Sequence, residues 1–398
     1  MLLFLPIHVM RRLLLGILFA FLFLTTKSQI RFSDELQVSL FTADPGKEVY
    51  ECFGHTGFRI LDKKTGLDLI FHYGVYDYTE PNFIWHFIEG VCSYKMAACY
   101  TQELLADYNR RQIKVTEQVL SIDSAQTATL TKALLENYLP QNRDYRYNFF
   151  FDNCATRPFD MITSSTPVRY DTTWIQPVTL RDMIHEMTGT GRWLDFGIAL
   201  AVAGRADQQA NFREQMFLPK YLREAVAHAS IDGRPMVATE RQINKAKTAP
   251  REEDFILDRL LSPMSTAILM LVVSLLLGVK EFRQRKINVA SRTFDSIWLL
   301  ASGIAGCIIW FLNFFSQHPA VDHNLNCLWL LPTNTLFIAF IWLKKAEKVR
   351  RIYFFIIFAA VIIYIVSICV SVQYCHAAFI PMIIAIALRC ISNLYKRQ

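Results

Sequence analysis

From Leu260 to the C-terminus, apolar segments recur at about 260–279, 296–315, 325–343, 352–372 and 377–392. Most are close to the ~20 residues that ~30 Å of hydrocarbon requires, so about five membrane helices are expected. Lys280, Arg283, Arg285, Lys286 and Arg292 lie between the first pair. Lys344, Lys345, Lys348, Arg350 and Arg351 lie between the third and fourth, and the loops around Pro319 and Tyr374 carry no Lys or Arg. The positive-inside rule assigns the basic loops and the Lys396-Arg397 tail to the cytoplasm, and region 30–258 to the opposite side. The formal charge of +7 resides largely in these loops, so it does not indicate a nucleic-acid partner.

A second apolar run, Leu13 to Leu24, follows Arg11 and Arg12 and gives way to Thr25, Thr26 and Ser28. It is too short to span comfortably and reads as a signal peptide cleaved near Ser28, with an uncleaved anchor as the alternative. Three parts result: a signal peptide over 1–28, an exported domain over 29–258 and a transmembrane domain over 259–398. An export signal and an odd number of C-terminal spans agree on a multi-pass topology with a cytoplasmic C-terminus.

The exported part opens with strand patterning. Leu36 to Phe41 alternates, a Pro45-Gly46 turn follows, and Gly57 to Leu61 leads through a polar turn into Leu67 to Tyr73. Helical stretches follow from Thr101 to the Tyr108–Arg111 region and from Asp123 to about Tyr138, where Ser121 or Asp123 is the cap and Pro140 the stop. The fold class is α+β, with an all-α membrane part, and about 225 exported residues suffice for one core.

Of nine cysteines, Cys307, Cys327, Cys369 and Cys390 fall within expected spans and Cys375 at a span's end, which rules out a disulfide framework. Cys52, Cys92, Cys99 and Cys154 belong to the exported domain. Cys92 and Cys99 are either a bridge or buried thiols. No CxxC pair or HExxH helix occurs, so neither a zinc site nor any other metal or cofactor is expected.

Cys154 follows Asn153 and precedes Pro158. Proline is tolerated only in a helix's first turn, so a helix reaching Met161-Ile162 should start near Asn153 or Cys154. A thiol at a helix N-terminus has a lowered pKa and free amides beside it. His55, in a Gly54-His55-Thr56 turn, would serve as its base. The plainer reading is a small buried hydrophobe and a structural histidine. His72, on an apparent strand, either orients the base or caps a strand edge. Arg59 and Arg157 are candidate phosphate contacts, although most arginines pair with a local carboxylate. Beside the nucleophile Asn153 is a candidate substrate contact. His318 and Asn324, in the outer loop 316–326, are candidates for a head group or for docking against the cleft. The stretch Gly189 to Ala203 lies on the membrane surface or forms core.

A Gly-His turn on an early strand, a histidine or asparagine on a following one, and Asn-Cys opening a helix resemble the circularly permuted papain-like thiol enzymes, including lecithin:retinol acyltransferase and NlpC-type relatives. More specifically, Pro45-Gly46-Lys47-Glu48-Val49-Tyr50, Phe53-Gly54-His55-Thr56, Phe71-His72-Tyr73-Gly74-Val75-Tyr76-Asp77-Tyr78 and Asn153-Cys154-Ala155-Thr156-Arg157 resemble the periplasmic domain of the Lnb family. Ser316-Gln317-His318-Pro319 and Asn324-Leu325-Asn326 resemble that family's membrane domain, so the resemblance covers nearly the whole chain.

The resemblance implies a lipoprotein N-acyltransferase of the bacterial inner membrane with its catalytic domain in the periplasm. Cys154 would be the nucleophile, His55 the base and His72 the orienter at a position where Asn is expected. The implied partners are a phospholipid acyl donor, a diacylglyceryl lipoprotein acceptor and the bilayer. Two other readings use the same residues: a membrane-anchored cysteine peptidase or amidase acting on cell-wall peptides, and a degenerate papain-like fold that serves as a binding module.

Overall fold

Alternating apolar residues from Leu36 onward build a sheet in the computed structural model, which describes residues 30–76, 79, 81–247, 255–370 and 373–395. The expected signal segment, 1–28, and the Lys396-Arg397 tail lie outside the described residues. The strands are β1 (Leu36–Ala43), β2 (His55–Asp62), β3 (Asp68–Val75), β4 (Ser93–Tyr100), β5 (Val115–Leu120) and β6 (Asp144–Arg146). A later strand, named below, completes an antiparallel sheet of seven, in which β1 to β3 are the expected run of strands and β4 extends it as a meander.

Between the strands lie α1 (Phe83–Glu89), α2 (Thr101–Arg110), α3 (Ser124–Tyr138) and, after β6, α4 (Thr156–Ser165). Asp123 caps α3 through Gln126 N in a reciprocal capping box. Leu130 and Leu134 of α3 and Phe159 and Ile162 of α4 pack on Leu40, Phe58, Ile60 and Phe71, all nearly inaccessible, which forms the main core. Register pairs Phe58 with Phe71 and Gly57 with His72, so the histidine points to the other face. There α2 covers a smaller cluster that includes Phe41, Ile70 and Tyr108.

The chain continues through β7 (Val168–Tyr170), α5 (Leu180–Thr188), α6 (Trp193–Ala201), α7 (Phe212–Gln215), α8 (Pro219–Ala227), β8 (Ala229–Ile231) and β9 (Arg234–Pro235) to β10 (Val237–Gln242). The last strand pairs with β5 at the sheet edge, so everything from β1 to β10 shares one fold. The four exported-domain cysteines are free thiols. Cys92 and Cys99 stand at opposite ends of β4, seven residues or ~23 Å of strand apart, and cannot bridge.

The membrane part comprises α9 (Pro263–Gln284), α10 (Val289–Phe314), α11 (Thr333–Trp342), α12 (Glu347–Val370) and α13 (Phe379–Leu394). Four units are long and apolar enough to cross a bilayer: α9, α10, Leu325–Trp342 and Lys344–Val370. The expected fifth, α13, is a shorter apolar helix of 16 residues, or ~24 Å, a length that crosses with local thinning of the bilayer. Its end is spent on closing the bundle, for buried Arg389 bonds Asp295 Oδ1 at 2.7 Å and both Glu281 oxygens at 3.2 Å. Buried charges survive only when paired in this way.

The two parts are joined by polar contacts rather than by a bare linker. Phe196 and Ala199 of α6 sit in the bundle's core, so the segment Gly189 to Ala203 packs as core, with Thr190, Trp193 and Gly197 exposed along one side. Asn324 Nδ2 donates to Leu200 O at 2.8 Å and Ala201 O at 3.1 Å, and Asn326 Nδ2 donates to Leu200 O at 3.1 Å. These amides satisfy the orphan carbonyls at the end of α6. At a second seam, Gln317 N donates to Glu89 O at 2.7 Å and Ser316 Oγ to Ile88 O at 2.9 Å, tying the outer membrane loop to α1.

Candidate active site

Asn153 builds the turn that presents the thiol. Its Oδ1 accepts from Ala155 N at 2.8 Å and Thr156 N at 3.0 Å, and its Nδ2 donates to Phe149 O and Phe217 O. α4 therefore opens at Thr156 with Pro158 in its first turn, two or three residues after the expected start, and Cys154 sits in the preceding turn.

His55 opens β2, and its Nε2 lies 3.0 Å from His72 Nδ1 on β3. With Nε2 engaged, Nδ1 is the nitrogen that can serve the thiol. For Nδ1 to accept a proton, Nε2 must carry one and donate it to His72, which fixes both tautomers. Between His72 and Val75 the β3–β4 register is irregular, and there Gly74 adopts φ +88°. A Cβ at Gly74 would lie 3.7 Å from Cys154 Cβ and 3.9 Å from His55 Cε1, so thiol and imidazole converge on the space that this glycine leaves open.

Electrostatics runs against the expected helix effect. Burial pushes the Cys154 thiol up to about 11, although hydrogen bonds from Thr56 N–H and its own N–H oppose this. Burial, then His72 and Arg111, push His55 down to about 3, and burial holds His72 at about 4. The desolvation that disfavours both ions outweighs the helix N-terminus, so the resting dyad is neutral and the proton must move as the bond forms. Alkylation of Cys154 by iodoacetamide should accordingly rise about tenfold per pH unit from 7 toward 11. A plateau between pH 4 and 8 would instead reveal a preformed thiolate–imidazolium pair.

Both groups open into a cavity of 540 Å³ walled by Tyr76, Phe83, Phe87, Tyr94, Tyr147 and Phe149. Tyr94 stacks on Tyr147 at 4.2 Å and Tyr76 on Phe83 at 5.2 Å, which stiffens the wall. His318 of the membrane loop completes it, its Nε2 2.7 Å from Phe87 O. The structure thus brings Cys154, His55, Asn153 and His318 to one cavity, with His72 behind the base. Arg59, Arg157 and Asn324 do not line it. Arg59 is held by Asp68 and Glu117; Arg157 pairs with Asp152 and lies 3.6 Å over the Tyr145 ring; Asn324 is spent on α6. The aromatic wall and Gly74 were not singled out from sequence, although aromatics crowd Tyr73–Phe87 and Tyr145–Phe151 on either side of the motifs.

His72 can be tested by what replaces it. His72→Asn keeps an acceptor for His55 Nε2–H and should stay close to the parent, whereas His72→Ala strands that N–H at a cost of about 1–3 kcal/mol, or roughly ten- to hundredfold in rate. Equal rates for parent and both variants would remove His72 from the machinery.

Fold and site define a class: a membrane protein whose α+β domain carries a thiol and an imidazole on a lipophilic cavity beside the bilayer helices. Residues 28–186 match the family model of the Lnb N-terminal periplasmic domain, and residues 254–398 match that of the Lnb transmembrane domain. The chain belongs to the Lnb family, and is a membrane protein of the lipoprotein N-acyltransferase type with a periplasmic domain. No curated protein and no solved structure matches it.

Proposed function

We propose that the protein transfers an acyl chain from a phospholipid, through a thioester on Cys154, to the α-amine of a lipoprotein's diacylglyceryl cysteine. The observation that carries this reading is the aromatic cavity at Cys154, closed by His318 from the membrane part. Its wall suits an alkyl chain and offers little to a hydrophilic cell-wall peptide. The helix beside it, α1, exposes Ile84, Trp85 and Phe87, and Trp85 packs 5.0 Å from Phe311 of α10. Such an apolar surface next to membrane helices suits contact with lipid.

In the first step His55 Nδ1 takes the thiol proton as sulfur attacks the ester carbonyl. The tetrahedral oxyanion receives hydrogen bonds from the Cys154 and Thr56 N–H groups. Collapse breaks the ester C–O bond, and the imidazolium returns its proton to the departing lysophospholipid. In the second step the amine attacks the thioester, His55 accepts its proton, and Cys154 leaves as sulfur that is reprotonated. The scaffold fits a permuted papain-like arrangement with histidine before cysteine. In this reading residues 29–258 are the periplasmic domain and 259–398 the membrane domain, set in the bacterial inner membrane with the C-terminus in the cytoplasm. Holding the site at the bilayer raises the effective concentration of both lipid substrates.

The test is mass spectrometry of the N-terminal lipopeptide of a reporter lipoprotein, from cells that lack their own N-acyltransferase and express this chain. A third acyl chain supports transfer. An unchanged diacyl peptide in a well-expressed sample overturns it and favours a peptidase or amidase with water as acceptor.

A further inference from the structure

A second cavity, of 310 Å³, shares Phe53, Gly54 and Pro219 with the catalytic one, so the two chambers meet at a wall next to His55. Their chemistry differs sharply. Where the first is aromatic, the second is lined by Asp44 after β1, Glu186 on α5, and Lys220 and Arg223 on α8. These four charges cancel and stand as two pairs. Lys220 bonds Glu186, which also accepts from Tyr221 Oη at 2.9 Å, and Arg223 Nη1 lies 3.9 Å from Asp44 Oδ1. All four side chains are partly exposed, between 24% and 44%, so the pairs are weak and can exchange partners at little cost.

Lys220 and Arg223 are three residues apart on one helix and share a face. α8 begins at Pro219 with no side-chain cap, so its positive end adds to the attraction for an anion there. The opposite wall offers two carboxylates. A ligand carrying one phosphate and one ammonium would replace both internal pairs and leave no charge without a partner. A purely anionic ligand would draw Lys220 and Arg223 away and bring no cation to Glu186 and Asp44.

We propose that this chamber is the headgroup subsite for an acyl donor of that zwitterionic class, an inference that rests on the acyl-transfer reading above. The phosphate lies between Lys220 and Arg223, and the ammonium lies against Glu186 and Asp44. The acyl chain lies in the aromatic cavity, and the ester carbonyl crosses the shared wall to reach Cys154. The two chambers thus divide one lipid into its polar and apolar parts, with the scissile bond at the boundary.

The experiment uses the full-length protein in proteoliposomes that contain either phosphatidylethanolamine or phosphatidylglycerol with identical acyl chains. Acyl-enzyme on Cys154 is read by intact mass, and transfer by the rate of acylation of a synthetic diacyl lipopeptide. Acyl-enzyme should form about tenfold faster from phosphatidylethanolamine, the worth of one charge-assisted contact. In a Lys220→Gln/Arg223→Gln variant, and separately in Glu186→Gln/Asp44→Asn, that ratio should fall toward one. Unchanged alkylation of Cys154 by iodoacetamide in each variant verifies an intact site.

Equal acyl-enzyme rates from the two lipids in the parent, or an unaltered ratio in both variants, would overturn the headgroup assignment and leave acyl transfer standing. Variants that form acyl-enzyme like the parent but raise KM for the lipopeptide would assign the chamber to the acceptor's ammonium and also overturn it. If neither lipid acylates the parent while a soluble acyl thioester does, the phospholipid-donor reading falls, and the headgroup subsite with it.

Discussion

Cys154→Ala should abolish the third acyl chain on a reporter lipoprotein, a loss of about 10⁴-fold or more, because the proposed route carries the acyl chain on that thiol. His55→Ala should cost about 10²–10⁴-fold, since the neutral thiol then has no acceptor for its proton. The loss should be chemical rather than structural. Cys154 is not a principal core side chain but borders the core from the cavity side, and the turn that carries it is built by Asn153. Both variants should therefore insert in membranes and melt near the parent temperature. A Cys154→Ala protein that still acylates the reporter would remove the thiol from the mechanism.

Gly90→Ala should also lower transfer, at a distance from the chemistry. Gly90 ends α1 with φ +73°, and a Cβ there would come 2.6 Å from His318 N and 3.0 Å from Gln317 C. These are backbone and ring atoms of the membrane loop, and they cannot step aside without breaking the bonds that tie Ser316, Gln317 and His318 to α1. The left-handed conformation alone costs a non-glycine residue roughly 1–2 kcal/mol. Gly66→Ala isolates that part, because Gly66 has φ +76° with nothing within 4 Å. Gly90→Ala should lower the transfer rate at least tenfold more than Gly66→Ala, since the steric clash would displace Phe87 and His318 from the cavity wall. Equal effects of the two variants would mean that the seam does not shape the site.

How far the site could be read in advance depended on the range of the forces involved. Cys154, His55 and His72 were legible because local rules place them: strand alternation around His55 and His72, and a proline that confines a helix start close to Cys154. Arg59 and Asn324 have the chemistry of phosphate and amide contacts, but their partners are distant in sequence, Glu117 for the first and Leu200 for the second. No local pattern reports that those groups are already occupied. The thiol's pKa shift runs opposite to the helix-end expectation for the same reason. A helix N-terminus is visible in sequence, whereas the burial that outweighs it comes from elements on both sides.

The sequence by itself determined the division into an exported α+β domain and a helical membrane part, the strand and helix order around the dyad, and the paired motifs that carry the family resemblance. These follow from periodicity, proline and charge bias, each of which acts within a few residues or along one apolar run. Only the tertiary structure decided that Gly74 opens the space between thiol and imidazole, that Tyr76 and aromatics from α1, β4 and the Tyr147–Phe149 turn close one cavity, and that a loop between two membrane helices supplies His318 to its wall. It also decided that Arg389 of the last apolar helix is buried against Asp295 and Glu281 of two others. Such features depend on which side chains meet across the fold, and packing sets those meetings at sequence separations that no local propensity encodes.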